Sequence, residues 1–231
     1  VKQPAQSVGL TRATVAVFSK ELRVEFRSFE ILTSTIVFAL IVVFVFSFAF
    51  NPSPADSRRF GAGFLWIALL FASSLMLQPS FTRERTNDTL AALVLAPIDP
   101  LAIIAGKLFA NFFFLALVEV ILLPAFSVLY DVPLLGVIGR LAVVMLLGTF
   151  GIATVGTVFA AIASQARMRE LLLPLLLLPA VVPLLIACTG ATMGLLAESP
   201  ELPLSWLVVM VCFDLIFFTA AWLFGGFLLE E

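Results

Sequence analysis

Histidine is absent from all 231 residues, tyrosine occurs once, and cysteine occurs twice. Without imidazole the chain has no His-based triad, none of the usual zinc sites and no histidine to ligate haem. Cys188 and Cys212 stand far apart inside apolar stretches, so they read as small core residues and not as a disulfide framework. Charge is scarce as well, at 12% of residues, with thirteen Lys and Arg against fifteen Asp and Glu. A net charge of −2 leaves no basic surplus of the kind that binds nucleic acid. Nor is there a phosphate-binding loop, because Gly106–Lys107 lacks both the upstream glycine and the following Ser or Thr. The chain therefore does not hydrolyse nucleotide by itself, and no catalytic or metal-binding set emerges from it. What it has in excess is apolar surface: 62% hydrophobic residues and a mean hydropathy of +1.16 exclude an ordinary soluble enzyme.

A hydrocarbon core about 30 Å thick takes about 20 apolar residues of helix. Six runs of that kind occur, at about 31–50, 60–77, 108–130, 141–163, 171–196 and 204–229. The pieces between them are too short for a soluble catalytic domain, so residues 1–231 read as a single transmembrane permease domain, all-α throughout. Ile31–Phe50 is longer than a signal-peptide core and has no small-residue cleavage site after it, so it reads as a true span. Ten Lys and Arg fall on one side of the alternating topology and only Arg58, Arg59 and Arg140 on the other, which predicts cytoplasmic N and C termini. Trp66 and Trp206, each near the start of a span, are expected at the outer headgroup level.

Residues 10–30 place Val15, Phe18, Leu22, Phe26 and Phe29 on one helical face and Lys20, Arg23 and Arg27 on another. The pattern predicts an amphipathic helix in the inner interface that turns into the membrane near Glu30, a basic juxtamembrane tail being the alternative. Val17 and Val24 fall on its polar side. Between the second and third spans, PSFTRERTNDTLAALVLAPIDPLAIIAGK is the most informative stretch. Asn87 or Asp88 can cap a helix over about 86–96, Leu90, Leu93 and Val94 give it an apolar face, and Pro97 ends it. Asp99 then caps the next helix with Pro100 at its first position. The leucine-rich face, bordered by Arg83, Glu84 and Arg85, either docks on a partner or rests on the membrane surface. Lys107 is expected to snorkel to the inner headgroups.

Two acids lie within spans, Glu119 in the third and Asp214 in the sixth. An intramembrane carboxylate costs about 2.5–3.5 kcal/mol on insertion scales, so both should face the bundle or a cavity. They serve the transport path and its coupling, or interhelical hydrogen bonding, or stand as protonated, silent acids. Pro174, Pro179 and Pro183 predict a kink or break in the fifth span, and a place against the bundle. Gly156, Ala160 and Ser164, and separately Gly190 and Gly194, permit close helix approach within the subunit or across a dimer. The twenty-four phenylalanines could stack a flat apolar substrate, although most read as packing or lipid-facing side chains.

An interfacial helix, six spans, both termini inside and a capped cytoplasmic helix after the second span together resemble the membrane subunit of an ABC-2-type exporter. Within that group the sequence is most similar to the haem exporter protein B family of cytochrome c maturation. The stretches that carry the likeness are KELRVEFRSFEILTS, SFTRERTNDTLAALVLAPIDPLAIIAGKLFAN and LLLPLLLLPAVVPLLIACTGA, with VEVILLPAF more weakly. The resemblance implies a permease in the bacterial inner membrane that pairs with a second copy of itself and with two cytoplasmic ATPase subunits, which bind ATP and Mg. It implies that the 86–96 helix is the coupling helix, with Arg83, Glu84, Arg85, Asp88, Leu90, Leu93 and Val94 meeting the ATPase. It further implies a haem-handling membrane subunit with a small membrane peptide and a periplasmic haem chaperone, haem being the substrate of the complex and no cofactor of this chain. Three rivals remain: an ABC-2 exporter of lipid, drug or glycan, a mechanical scaffold that releases the loaded chaperone, and a proton-coupled carrier relying on Glu119 and Asp214.

Overall fold

The computed structural model describes residues 9–50, 54–86, 98–166, 169–197 and 199–226. Eight helices are described: α1 (Leu10–Ser28), α2 (Glu30–Phe50), α3 (Pro54–Leu77), α4 (Pro79–Thr86), α5 (Pro100–Leu129), α6 (Ile138–Ser164), α7 (Arg169–Leu196) and α8 (Leu204–Phe224). No strand occurs among the described residues. Six of these helices are long and apolar enough to cross a membrane, and the protein is an all-α, multi-pass membrane protein. The segment expected to form the 86–96 coupling helix lies outside the described residues, apart from Thr86 at the end of α4.

The centre of the bundle is α6, which packs against α3, α4, α5, α7 and α8. Its sequence explains the position, since Gly148, Gly151, Ala153, Gly156, Ala160 and Ala161 leave room for neighbours on several sides. Leu77 of α3 sits where a Cβ on Gly156 would go, and the Trp66 ring does the same at Gly148. The small residues at 156, 160 and 164 are all buried inside the subunit. Gly190 receives the Trp206 ring, and Gly194 faces the Glu201 carbonyl and Pro203. Both glycine patterns thus serve packing within one chain.

Trp66 is the first correction. It is 1% exposed, twelve residues into α3, and its Nε1 donates to Thr192 Oγ1 on α7 at 3.0 Å. The indole is therefore packed inside the bundle and does not face outward, and the glycine at 148 gives it its slot. Trp206 does stand in the first turn of α8.

A second correction concerns α7. It is one continuous helix through Pro174, Pro179 and Pro183, so of the kink or break expected there, the break does not occur. Leu173, Leu177, Val181, Leu184 and Cys188 form the buried stripe, while Pro179 and Pro183 are exposed with Leu171, Leu175 and Val182. Each proline removes a backbone donor whichever way its ring points, yet the helix runs on through all three, and its buried face lines the bundle as expected.

At Phe29 the backbone turns left-handed (φ 53°) and separates α1 from α2, with Phe29 N–H donating to the Glu25 carbonyl at 2.7 Å. Glu25 is itself buried, and its carboxylate accepts from Leu32 N–H at 2.8 Å, which satisfies a free donor at the start of α2. The helix α1 has two apolar faces. Val15 and Val24 are exposed, whereas Ala13 and Val17 are buried against α5 and the Phe26 ring packs edge-on against Phe113 and Phe114. Val17, which fell on the polar side of a simple amphipathic pattern, is the residue that seats α1 on Gly106.

Candidate functional site

Two polar centres interrupt the apolar bundle. The first lies at the end where α1, α4 and α5 meet. Asp99 opens α5, its side chain accepting from Leu101 N–H at 2.9 Å with Pro100 at the first helical position, as the sequence predicts. This early start brings Lys107 into the second turn of α5, where it is completely buried and does not snorkel. Its Nζ donates to Glu21 Oε1 of α1 at 2.8 Å and to the Ser80 carbonyl of α4, and stands 4.9 Å from the centre of the Phe81 ring. An ammonium group so enclosed is stable only with such partners. One turn along, Asn111 donates to Ser80 Oγ at 3.3 Å and to Thr157 Oγ1 of α6 at 3.0 Å. Burial pushes the Glu21 carboxyl up, but the charges and hydrogen bonds of Lys107 and Lys20 outweigh it and hold Glu21 below its ordinary range.

The second centre lies mid-bundle. Glu119 of α5 is buried and accepts a hydrogen bond from Thr149 Oγ1 of α6. Asp214 of α8 is 6% exposed and lies against Gly151 of α6 and near Leu184 of α7. Neither of its carboxylate oxygens has a hydrogen-bond partner among the described residues. Cys188 of α7, buried beside Gly148, lies within electrostatic reach of both acids. Both intramembrane acids thus face the bundle and not lipid, which is where a carboxyl group at that depth is tolerated. No cluster that could hold a metal ion occurs among the described residues.

An apolar groove of about 540 Å³ is lined by α1, α5 and α8, with Phe18, Phe109, Phe112, Phe113, Phe218 and Trp222 on its walls. No sulfur atom or phenol lines it. It shows that the N-terminal helix and the end of α8 border the same end of the bundle.

A sequence profile described as CcmB protein matches residues 12–222. The chain belongs to the CcmB family. A CcmB relative from Pseudomonas aeruginosa, named Heme exporter protein B, is 30% identical over 80% of this chain and 82% of its own length. One of the same name from Rhodobacter capsulatus is 34% identical over 74% of this chain and 78% of its own. The protein of that name from Escherichia coli K12 is 32% identical over 41% of this chain and 43% of its own.

In this CcmB protein, Arg83, Glu84 and Arg85 lie on the helical backbone of α4 beyond the Ser80–Phe81 anchor. Asp88, Leu90, Leu93 and Val94 lie outside the described residues. Glu119 and Asp214 are both in the mid-bundle centre. Sequence reasoning missed Glu21, Asn111, Thr149 and Thr157. A signal for Glu21 exists, since Ala13, Val17, Glu21 and Glu25 recur every four residues and form the α1 stripe that faces inward.

Proposed function

We propose that this chain is the permease subunit of an ABC transporter that handles haem for cytochrome c maturation in the bacterial inner membrane. The observation that carries the reading is the CcmB family match over residues 12–222, with relatives named Heme exporter protein B. Two cytoplasmic ATPase subunits bind ATP and Mg, and this subunit, present as two copies, turns their closure into movement of its spans. Both termini are cytoplasmic. Segment 86–96 is the coupling helix, with Leu90, Leu93 and Val94 seated in the ATPase and Arg83, Glu84, Arg85 and Asp88 at the rim.

Haem is substrate here and not a resident cofactor. With no histidine in the chain, its axial ligation falls to a separate haem-handling membrane subunit, which works with a small membrane peptide and a periplasmic chaperone that receives the cofactor. The test is affinity purification in mild detergent with identification of the partners and a visible spectrum of the complex. Recovery of an ATPase and a haem-binding membrane protein, with a Soret band that disappears when the latter is omitted, supports the reading. Recovery of an unrelated ATPase without haem keeps the exporter and overturns the substrate. Recovery of no ATPase overturns the coupling.

A further inference from the structure

Residues 87–97 lie in the sequence between α4 and α5. Lys107, on α5, touches α4 directly. Its Nζ donates to the Ser80 carbonyl at the head of α4, its charge lies over the Phe81 ring, and the lysine itself is two turns into α5. Asn111 repeats the tie through Ser80 Oγ and extends it to Thr157 of α6. The same Nζ holds Glu21, so α1 joins the cluster through a pair whose lysine is fully buried.

Packing reinforces the charge. A Cβ on Gly106 would stand 2.6 Å from Val17 Cβ and 2.9 Å from the Thr14 carbonyl oxygen, so the backbones of α1 and α5 are in close approach beside the lysine. A helix with only an exposed apolar face could slide along the interface. This one is pinned at Val17 by shape and at Glu21 by charge.

We infer that Lys107 is a positioning residue that binds the interfacial helix α1, the head of α4 and the start of α5 into one rigid body. Displacement of the 87–97 segment then moves α1 and the third span together, and does not dissipate by bending α4. Packed, hydrogen-bonded connections of this kind carry coupling between distant sites. The inference rests on the proposal that this segment meets the ATPase.

The test uses the assembled transporter in native membranes and compares the unmodified chain with Glu21→Gln, Lys107→Met and Leu93→Asp. Three quantities are read: ATPase subunit recovered with this chain, ATP turnover, and c-type cytochrome formed per ATP hydrolysed. Glu21→Gln leaves Ser80, Phe81 and Asn111 in place, so the chain accumulates and keeps its ATPase and turnover. Its cytochrome yield per ATP falls roughly tenfold, within the range by which coupling residues act. Lys107→Met has the same effect, and Glu21→Gln decides the matter if Lys107→Met fails to accumulate. An unchanged yield per ATP in Glu21→Gln overturns the inference. So does joint loss of yield and bound ATPase, which marks a merely structural pair. Leu93→Asp separates the two levels: retention of ATPase by this variant overturns the underlying coupling-helix proposal whatever Glu21→Gln does.

Discussion

Asp214 occupies the space that a side chain at Gly151 would need, its Oδ1 lying 2.5 Å from where a β-carbon would stand. The glycine therefore makes room for a carboxyl group that has no hydrogen-bond partner among the described residues. A buried unsatisfied polar group costs about 1–3 kcal/mol, and a fold keeps such a cost where the group is used. Asp214→Leu should raise the thermal midpoint of the detergent-solubilised protein. Asp214→Asn should assemble normally but lower cytochrome c maturation at least about threefold, a modest coupling effect. Normal maturation in Asp214→Asn would reduce Asp214 to a structural residue.

Glu119 presents the opposite case. Its carboxyl is satisfied by Thr149, so removal of the hydroxyl strands it. Thr149→Val should destabilise the subunit by about 1–3 kcal/mol, whereas Thr149→Ser should be nearly neutral. Thermal denaturation of the two variants side by side checks the difference, and equal midpoints would show that the hydrogen bond contributes nothing.

The spans were legible because twenty-residue apolar runs are long relative to any competing pattern, and the Asp99–Pro100 start was legible because capping is local. Lys107 was misread because its partner is 86 positions away, and nothing near residue 107 announces Glu21. Trp66 was misread for the same reason: the indole depends on Thr192 and on the absence of a side chain at Gly148. Periodicity reports which face of a helix is apolar, but not which neighbour fills it. The prolines of α7 announce lost backbone donors locally, but whether the helix survives them depends on the packing of its buried stripe, which lies outside the local sequence.

The Gly148 slot yields a direct test. A β-carbon there would overlap the Trp66 ring and approach Cys188 Sγ, in a region where α3, α6 and α7 are all buried. Overpacking of this kind typically costs about 1–3 kcal/mol. Gly148→Ala should lower the thermal midpoint, and pairing it with Trp66→Phe should recover part of the loss. Absence of any recovery would mean that the strain is borne by Cys188 and not by the indole.

A further expectation concerns the 87–97 segment. Leu93→Asp places a charge in the middle of the proposed apolar face, where it would have to be desolvated against the ATPase. Co-purification of the ATPase should fall at least about tenfold, the effect of about 1.4 kcal/mol. Arg83→Ala and Arg85→Ala, at the rim, should each cost less and should do so in a salt-dependent manner.

The acid limb of stability tests the Glu21–Lys107 pair by its sign. Burial alone would raise the Glu21 carboxyl, yet Lys107 and Lys20 hold it below its ordinary value of 4.5. A group depressed in the folded state stabilises the fold above its unfolded value, and the contribution is lost as pH falls through the lower, folded value. The unmodified chain should therefore keep this contribution from neutral pH down to about 4.5 and lose it only below that. Glu21→Gln should be less stable at pH 7, and the two thermal-midpoint curves should converge as the pH drops further. Convergence at a pH above 4.5 would mean that Glu21 gains nothing from Lys107, and the salt bridge would then be a contact without consequence for the docking of α1.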